Sequence, residues 1–138
     1  MMPTPRAILF DLDDTILKFG DRHQLGIAVA QEYSAFLGHL KATEVGDAVE
    51  AFTQDFWASE ENLRLWRYKM FEARVFIVEN TFQILYDKAP ALTSEVARQF
   101  GKRLHELRDG DVACYPGALA TLDEFRRRGV LLALVTNG

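Results

Sequence analysis

The sequence predicts an α/β fold: a parallel-sheet core interrupted by a long helical insertion. Three observations predict it. Two short runs are continuously apolar, Ala7-Ile8-Leu9-Phe10 near the start and residues 130–135 near the end. Each stops abruptly at polar residues. Between them the apolar residues recur with helical spacing, from about Asp21 to Leu107.

The first run lacks the alternation of a half-buried strand and is too short for a buried helix. It suits a strand covered on both faces, as in a parallel sheet. The second run reads the same way. Two parallel strands need a crossover connection. Here that crossover holds roughly ninety residues of helical pattern, far beyond ordinary loop lengths. An insertion that long should form its own small domain. The expected division is 1–17 for the first part of the core, 18–111 for the insertion and 112–138 for the second part.

Inside the insertion, Leu25, Val29, Tyr33, Phe36 and Leu40 share one helical face. Val45, Val49, Phe52 and Phe56 repeat the pattern. Leu63, Trp66 and Met70 follow, with Ser59 as a candidate cap. Val78, Phe82 and Leu85 make another set before Pro90 breaks the chain. Thr93 or Ser94 then caps a helix carrying Val96, Phe100, Leu104 and Leu107. The aromatic residues read as bundle core rather than as a ligand pocket. A turn is expected around Asp109-Gly110-Asp111.

After Tyr115-Pro116-Gly117 comes a short helix with Leu119, Leu122 and Phe125 inward. Arg126, Arg127 and Arg128 lie in its last turn, where positive charge suits the helix dipole. They read as a solvated helix end rather than a phosphate patch. Gly129 is placed to end the helix in a left-handed conformation.

Composition narrows the function. The 138 residues are 49% hydrophobic, enough to bury a core. The formal charge of −4 argues against a nucleic-acid surface, which shows a basic excess. His23, His39 and His105 have no metal-ligand spacing. The single cysteine, Cys114, cannot form an internal disulfide and reads as a small buried hydrophobe. No stretch is long and apolar enough to span a membrane, and the first residues lead into a strand rather than a signal peptide. The expectation is a cytoplasmic protein that binds neither membrane nor nucleic acid.

In open α/β sheets, ligands bind at the carboxyl ends of strands. The first end carries Asp11-Leu12-Asp13-Asp14-Thr15, the second Thr136-Asn137-Gly138. If the strands are neighbours, these clusters meet. Asp11 and Asp13 are hard oxygen donors of the kind that hold Mg²⁺ together with water and substrate phosphate. A carboxylate can attack phosphorus to give an aspartyl-phosphate. A second acid can protonate the leaving alcohol and then take a proton from water. A hydroxyl such as that of Thr136, with backbone N–H groups, can donate to phosphoryl oxygens.

An Asp-x-Asp pair alone is weak, because acidic turns are common. The full string Ile8-Leu9-Phe10-Asp11-Leu12-Asp13-Asp14-Thr15-Ile16-Leu17 is far more specific. It resembles the first motif of the haloacid dehalogenase (HAD) superfamily. Tyr115-Pro116-Gly117, the helix ending at Gly129 and Leu134-Val135-Thr136-Asn137-Gly138 resemble the approach to that family's second motif.

The resemblance implies a Rossmann-like core with an α-helical cap inserted between the two motifs, as in the phosphoglycolate phosphatase-like subgroup. It implies Mg²⁺ as cofactor. Asp11 would be the nucleophile and a metal ligand. Asp13 would be the acid/base and would bind the metal through its backbone carbonyl. Thr15 would orient the loop. Thr136 would bind phosphate, with the Asn137 N–H beside it. Asp14 receives no role.

Relatives that cleave carbon–halogen bonds lack an aspartate at the position of Asp13, so phosphate-ester chemistry is expected. The partner would be a small phosphorylated metabolite: a sugar phosphate, a phosphoglycolate-like acid or a nucleoside monophosphate. The family pattern also calls for a lysine or arginine and an acidic pair after the second strand. Only the first two core strands are found before Gly138, so the chain reads as a C-terminally incomplete core, inactive alone. Two other readings stay open: a non-catalytic interaction module, and a phosphomutase.

Overall fold

The computed structural model describes residues 4–136, so Asn137 lies outside the described residues. The chain divides into two compact units: an α/β unit of Met1–Gly20 with Asp111–Gly138, and a helical unit of Asp21–Gly110.

The helical unit contains α1 (Arg22–Glu32), α2 (Ala42–Ala58), α3 (Glu60–Trp66), α4 (Met70–Leu85) and α5 (Ser94–Gly110). The α1 helix packs on α2 and α4 packs on α5; α1 also meets α5, and α2 meets α4. The four long helices thus close a ring around one core, and the short α3 lies against α2 and α4.

Local sequence explains the helix starts. The Asp21 carboxylate accepts hydrogen bonds from the His23 and Gln24 N–H groups, at 2.9 and 3.1 Å. Ser59 Oγ accepts from the Asn62 N–H at 3.3 Å. Thr93 Oγ1 accepts from the Val96 N–H at 3.3 Å, so Thr93 rather than Ser94 caps α5. Each occupies a donor that the helix itself cannot satisfy.

The helical periodicity becomes the core. Val29, Val45, Val49, Val78, Phe82, Phe100 and Leu104 form one buried cluster. The Phe100 ring lies 5.4 Å from Tyr33 and 5.2 Å from Phe82. A second cluster gathers Phe56, Ala73 and Ile77, with Trp57 and Trp66 packed against it. The buried hydroxyls of Thr53 and Thr81 donate to the carbonyls four residues back, so no polar side chain is stranded there.

Sequence and structure differ in this unit at two places. The face from Leu25 to Leu40 is not one helix: α1 ends at Glu32 and a 3-10 turn, Ser34–Phe36, follows. The turn expected around Asp109-Gly110-Asp111 begins later, because α5 runs on through Gly110.

The α/β unit has β1 (Ala7–Phe10), β2 (Leu17–Phe19), β3 (Val112–Cys114), α6 (Ala118–Arg127) and β4 (Leu131–Leu134). The two apolar runs pair as parallel neighbours, in register from Ala7↔Leu131 to Phe10↔Leu134. The α6 helix ends with the Val130 N–H bonded to Phe125 O and Gly129 at φ 75°, as the sequence predicts. Phe125 reaches β1, its ring 6.4 Å from that of Phe10.

The β2 and β3 strands are additions to the sequence reading. They form an antiparallel pair with register Leu17↔Cys114, Lys18↔Ala113 and Phe19↔Val112. The expected boundaries at residues 17 and 112 therefore cut this pair, and the unit extends to Gly20 and from Asp111. Two burial expectations fail here. Cys114 is exposed on β3 rather than buried. Leu119, expected to face inward, is 60% exposed. Both belong to a thin unit with little to cover them: β1 and β4 form a two-stranded sheet. Among the described helices none is long and apolar enough to cross a membrane.

Candidate functional site

The site grows from the β1–β4 register. Parallel pairing brings the two carboxyl ends level, and the Val135 N–H donates to Phe10 O at 2.8 Å. Asp11 is the first residue out of β1, and Thr136 follows Val135 out of β4. An open depression of about 490 Å³ is lined by Leu9, Phe10, Asp11, Val135 and Thr136. Two of the sequence candidates thus share one surface. Both are exposed, so they can meet a ligand from solvent.

The loop after Asp11 is tightly bonded. Asp11 Oδ1 accepts from the Leu12 N–H at 2.9 Å, which fixes the carboxylate against its own backbone. The Leu12 carbonyl accepts from Ile16 and Leu17, at 3.0 and 2.9 Å. The Asp14 N–H donates to Leu17 O at 2.8 Å. Asp13, exposed, lies inside that turn.

Sequence reasoning missed the support beneath this loop. Ile16 O accepts from the Tyr115 N–H at 2.9 Å, and Leu17 begins the β2–β3 pair. The only available signal was the apolar–polar–apolar alternation Leu17-Lys18-Phe19, three residues long. Thr15 does not line the Asp11 depression. It lines a second one, of about 280 Å³, with Phe10, Ile16, Tyr115, Pro116, Gly117 and Thr121. So Tyr115-Pro116-Gly117, noticed only as a motif, packs beside the loop.

The arginine run has a structural occupation. Arg127 and Arg128 both pair with Glu124, each at 2.7 Å. Both pairs lie at the end of α6.

Asp11 and Asp13 fit a hard divalent cation by donor chemistry. Both are exposed carboxylates on one short loop. Mg²⁺ usually takes one or two carboxylates and completes its shell with water and substrate phosphate. Among the described residues no group of three or more His, Cys, Asp or Glu side chains gathers to hold a metal.

No curated protein sequence and no solved structure matches the chain. A family model does, that of the haloacid dehalogenase-like hydrolases, over residues 5–138. That match takes in both strands, the Asp11 loop and the whole insertion, and the chain belongs to the haloacid dehalogenase-like hydrolase family.

Proposed function

We propose that this hydrolase is a Mg²⁺-dependent phosphatase of small phosphorylated metabolites, with Asp11 as nucleophile, Asp13 as acid/base and a helical cap formed by residues 21–110. The observation that carries this reading is the β1–β4 register, which sets Asp11 beside Thr136 at one open depression. Phosphoryl transfer needs a nucleophile and a phosphate-binding donor next to each other.

The chemistry follows from the residues. One Asp11 oxygen is held by the Leu12 N–H, which orients the carboxylate and leaves Oδ2 to attack phosphorus. As the Asp11–phosphorus bond forms, the ester P–O bond breaks. The Asp13 carboxyl gives its proton to the leaving alkoxide. Asp13, now a carboxylate, takes a proton from water as that water attacks phosphorus. The Asp11–phosphorus bond then breaks and the Asp11 carboxylate is restored. The net change is ester plus water to alcohol plus phosphate. The Thr136 hydroxyl donates to a phosphoryl oxygen. Mg²⁺, which the Asp11 carboxylate and the Asp13 backbone carbonyl would hold, would offset the repulsion between carboxylate and phosphate.

The test is phosphate release from a panel of sugar phosphates, phosphoglycolate and nucleoside monophosphates, using the protein as its native gene produces it. Mg²⁺-dependent release that falls at least about a thousandfold in Asp11→Asn is expected. Activity that survives Asp11→Asn would refute the assignment. Release of an isomeric sugar phosphate without free phosphate would make the enzyme a mutase.

A further inference from the structure

We infer that Asp14 is a positioning residue, whose left-handed backbone holds Asp13 in place for acid/base chemistry. The inference rests on the phosphatase reading above for its kinetic consequences, but not for its geometric ones.

Asp14 has φ 57°, and among the described residues it is the only one other than glycine with positive φ. That region is unfavourable for L-residues. Glycine enters it freely, and Asn and Asp tolerate it best among the others. A β-branched residue there is a marked outlier.

The conformation has a specific consequence. Leu17 bonds the backbone on both sides of Asp13: its N–H donates to Leu12 O at 2.9 Å, and its carbonyl accepts from the Asp14 N–H at 2.8 Å. Residues 13 and 17 thereby pair as a bridge although only Asp14, Thr15 and Ile16 separate them. The bridge is parallel, so the chain must complete a full loop within those three residues, and the left-handed step at Asp14 lies within that loop. Leu17 is itself fixed, because it opens β2 and pairs with Cys114. The hold therefore runs from the β2–β3 pair through Leu17 to the backbone of Asp13. The role of Asp14 is carried by its backbone conformation and not by its carboxylate.

Three variants and two readouts test this. The variants are Asp14→Gly, Asp14→Ala and Asp14→Val. The first readout is kcat and KM for phosphate-ester hydrolysis; the second is the side-chain carboxyl NMR signal of Asp13 at fixed pH. Asp14→Gly should retain at least about half of kcat, since glycine accepts positive φ. Asp14→Val should lose about tenfold or more in kcat with KM changed less than about twofold, because Asp13 and not substrate binding is disturbed. Asp14→Ala should fall between them. The Asp13 signal should move in Asp14→Val and stay in Asp14→Gly.

A loss in Asp14→Gly as large as in Asp14→Val would assign the effect to the side chain and overturn the inference. So would an unchanged kcat and Asp13 signal in Asp14→Val. If the wild type hydrolyses no phosphate ester, the phosphatase reading fails, and the Asp13 signal alone then decides the inference. If Asp14→Val does not fold, the graded loss in Asp14→Ala against Asp14→Gly decides it.

Discussion

The two units of this chain bury their apolar residues very differently. In the helical unit, Val29, Ala30, Val45, Val78 and Phe100 are completely buried. In the α/β unit, Val130 is the only buried apolar residue among those described. Leu9 and Leu131, on the paired strands β1 and β4, are 70% and 72% exposed. A helix satisfies its own backbone and needs only one covered face, so a ring of four can close a core within ninety residues. A parallel strand needs neighbours on both edges and cover on both faces. The same kind of residue, a branched aliphatic in a regular element, thus contributes stability in one unit and is spread over open surface in the other. The candidate site belongs to the second unit, where strand ends and loops are accessible.

The largest expected effect sharpens this contrast. Phe100→Ala should destabilise the helical unit by about 3–5 kcal/mol, since it empties a fully enclosed ring position between Tyr33 and Phe82. Leu131→Ala should change stability by less than about 0.5 kcal/mol, because the side chain is already in water. Denaturant unfolding of both variants checks the pair. Equal losses would break the comparison.

A smaller effect is expected where the helices of the ring approach closely. A Cβ built on Gly101 would lie 2.9 Å from the Val75 Cα, a backbone atom that cannot swing aside. Gly101→Ala should therefore cost about 1–3 kcal/mol by forcing α5 away from α4. The gain in helix propensity would offset about 1 kcal/mol of that strain. Denaturation midpoints measure the balance, and a stabilised variant would mean that the two helices separate without loss.

The smallest effect is electrostatic. Glu50 is held below the ordinary glutamate range, first by its hydrogen bond from Arg22, against the opposing effect of burial, and then by Gln54. A depressed folded value means that the pair stabilises the fold above the unfolded pKa, near 4.5. That contribution disappears as pH falls through the lower folded value. The difference in Tm between wild type and Glu50→Gln should be small at pH 7, because the pair is partly exposed. It should shrink as pH falls below about 4.5 and disappear once Glu50 is protonated in the folded state as well. A difference that grows with acid would contradict the assignment.

Much of the architecture could be read from residue patterns alone. The two apolar runs gave the parallel pair. The 3.6-residue spacing gave the helical insertion, and Asp11, Asp13 and Thr136 followed from where the strands stop. What the patterns did not reveal was the β2–β3 pair. Its strands are three residues long and lie more than ninety residues apart in the chain. Alternation over three residues carries too little signal to distinguish strand from loop. The exposure of Leu119 and Cys114 was equally hidden, because a side chain's burial depends on which partner covers it.

The sequence by itself determined the two apolar strands, the helical insertion, the helix cap at Ser59, the glycine stop at Gly129 and the acidic loop after β1. These depend on contacts within a few residues, which local spacing encodes. Only the tertiary structure decided that Asp11 and Thr136 share a surface, that Leu17 clamps Asp13 from both sides and that Asp14 takes a left-handed turn to allow it. Such features come from pairing between distant segments, and the chain must close before any residue can record them.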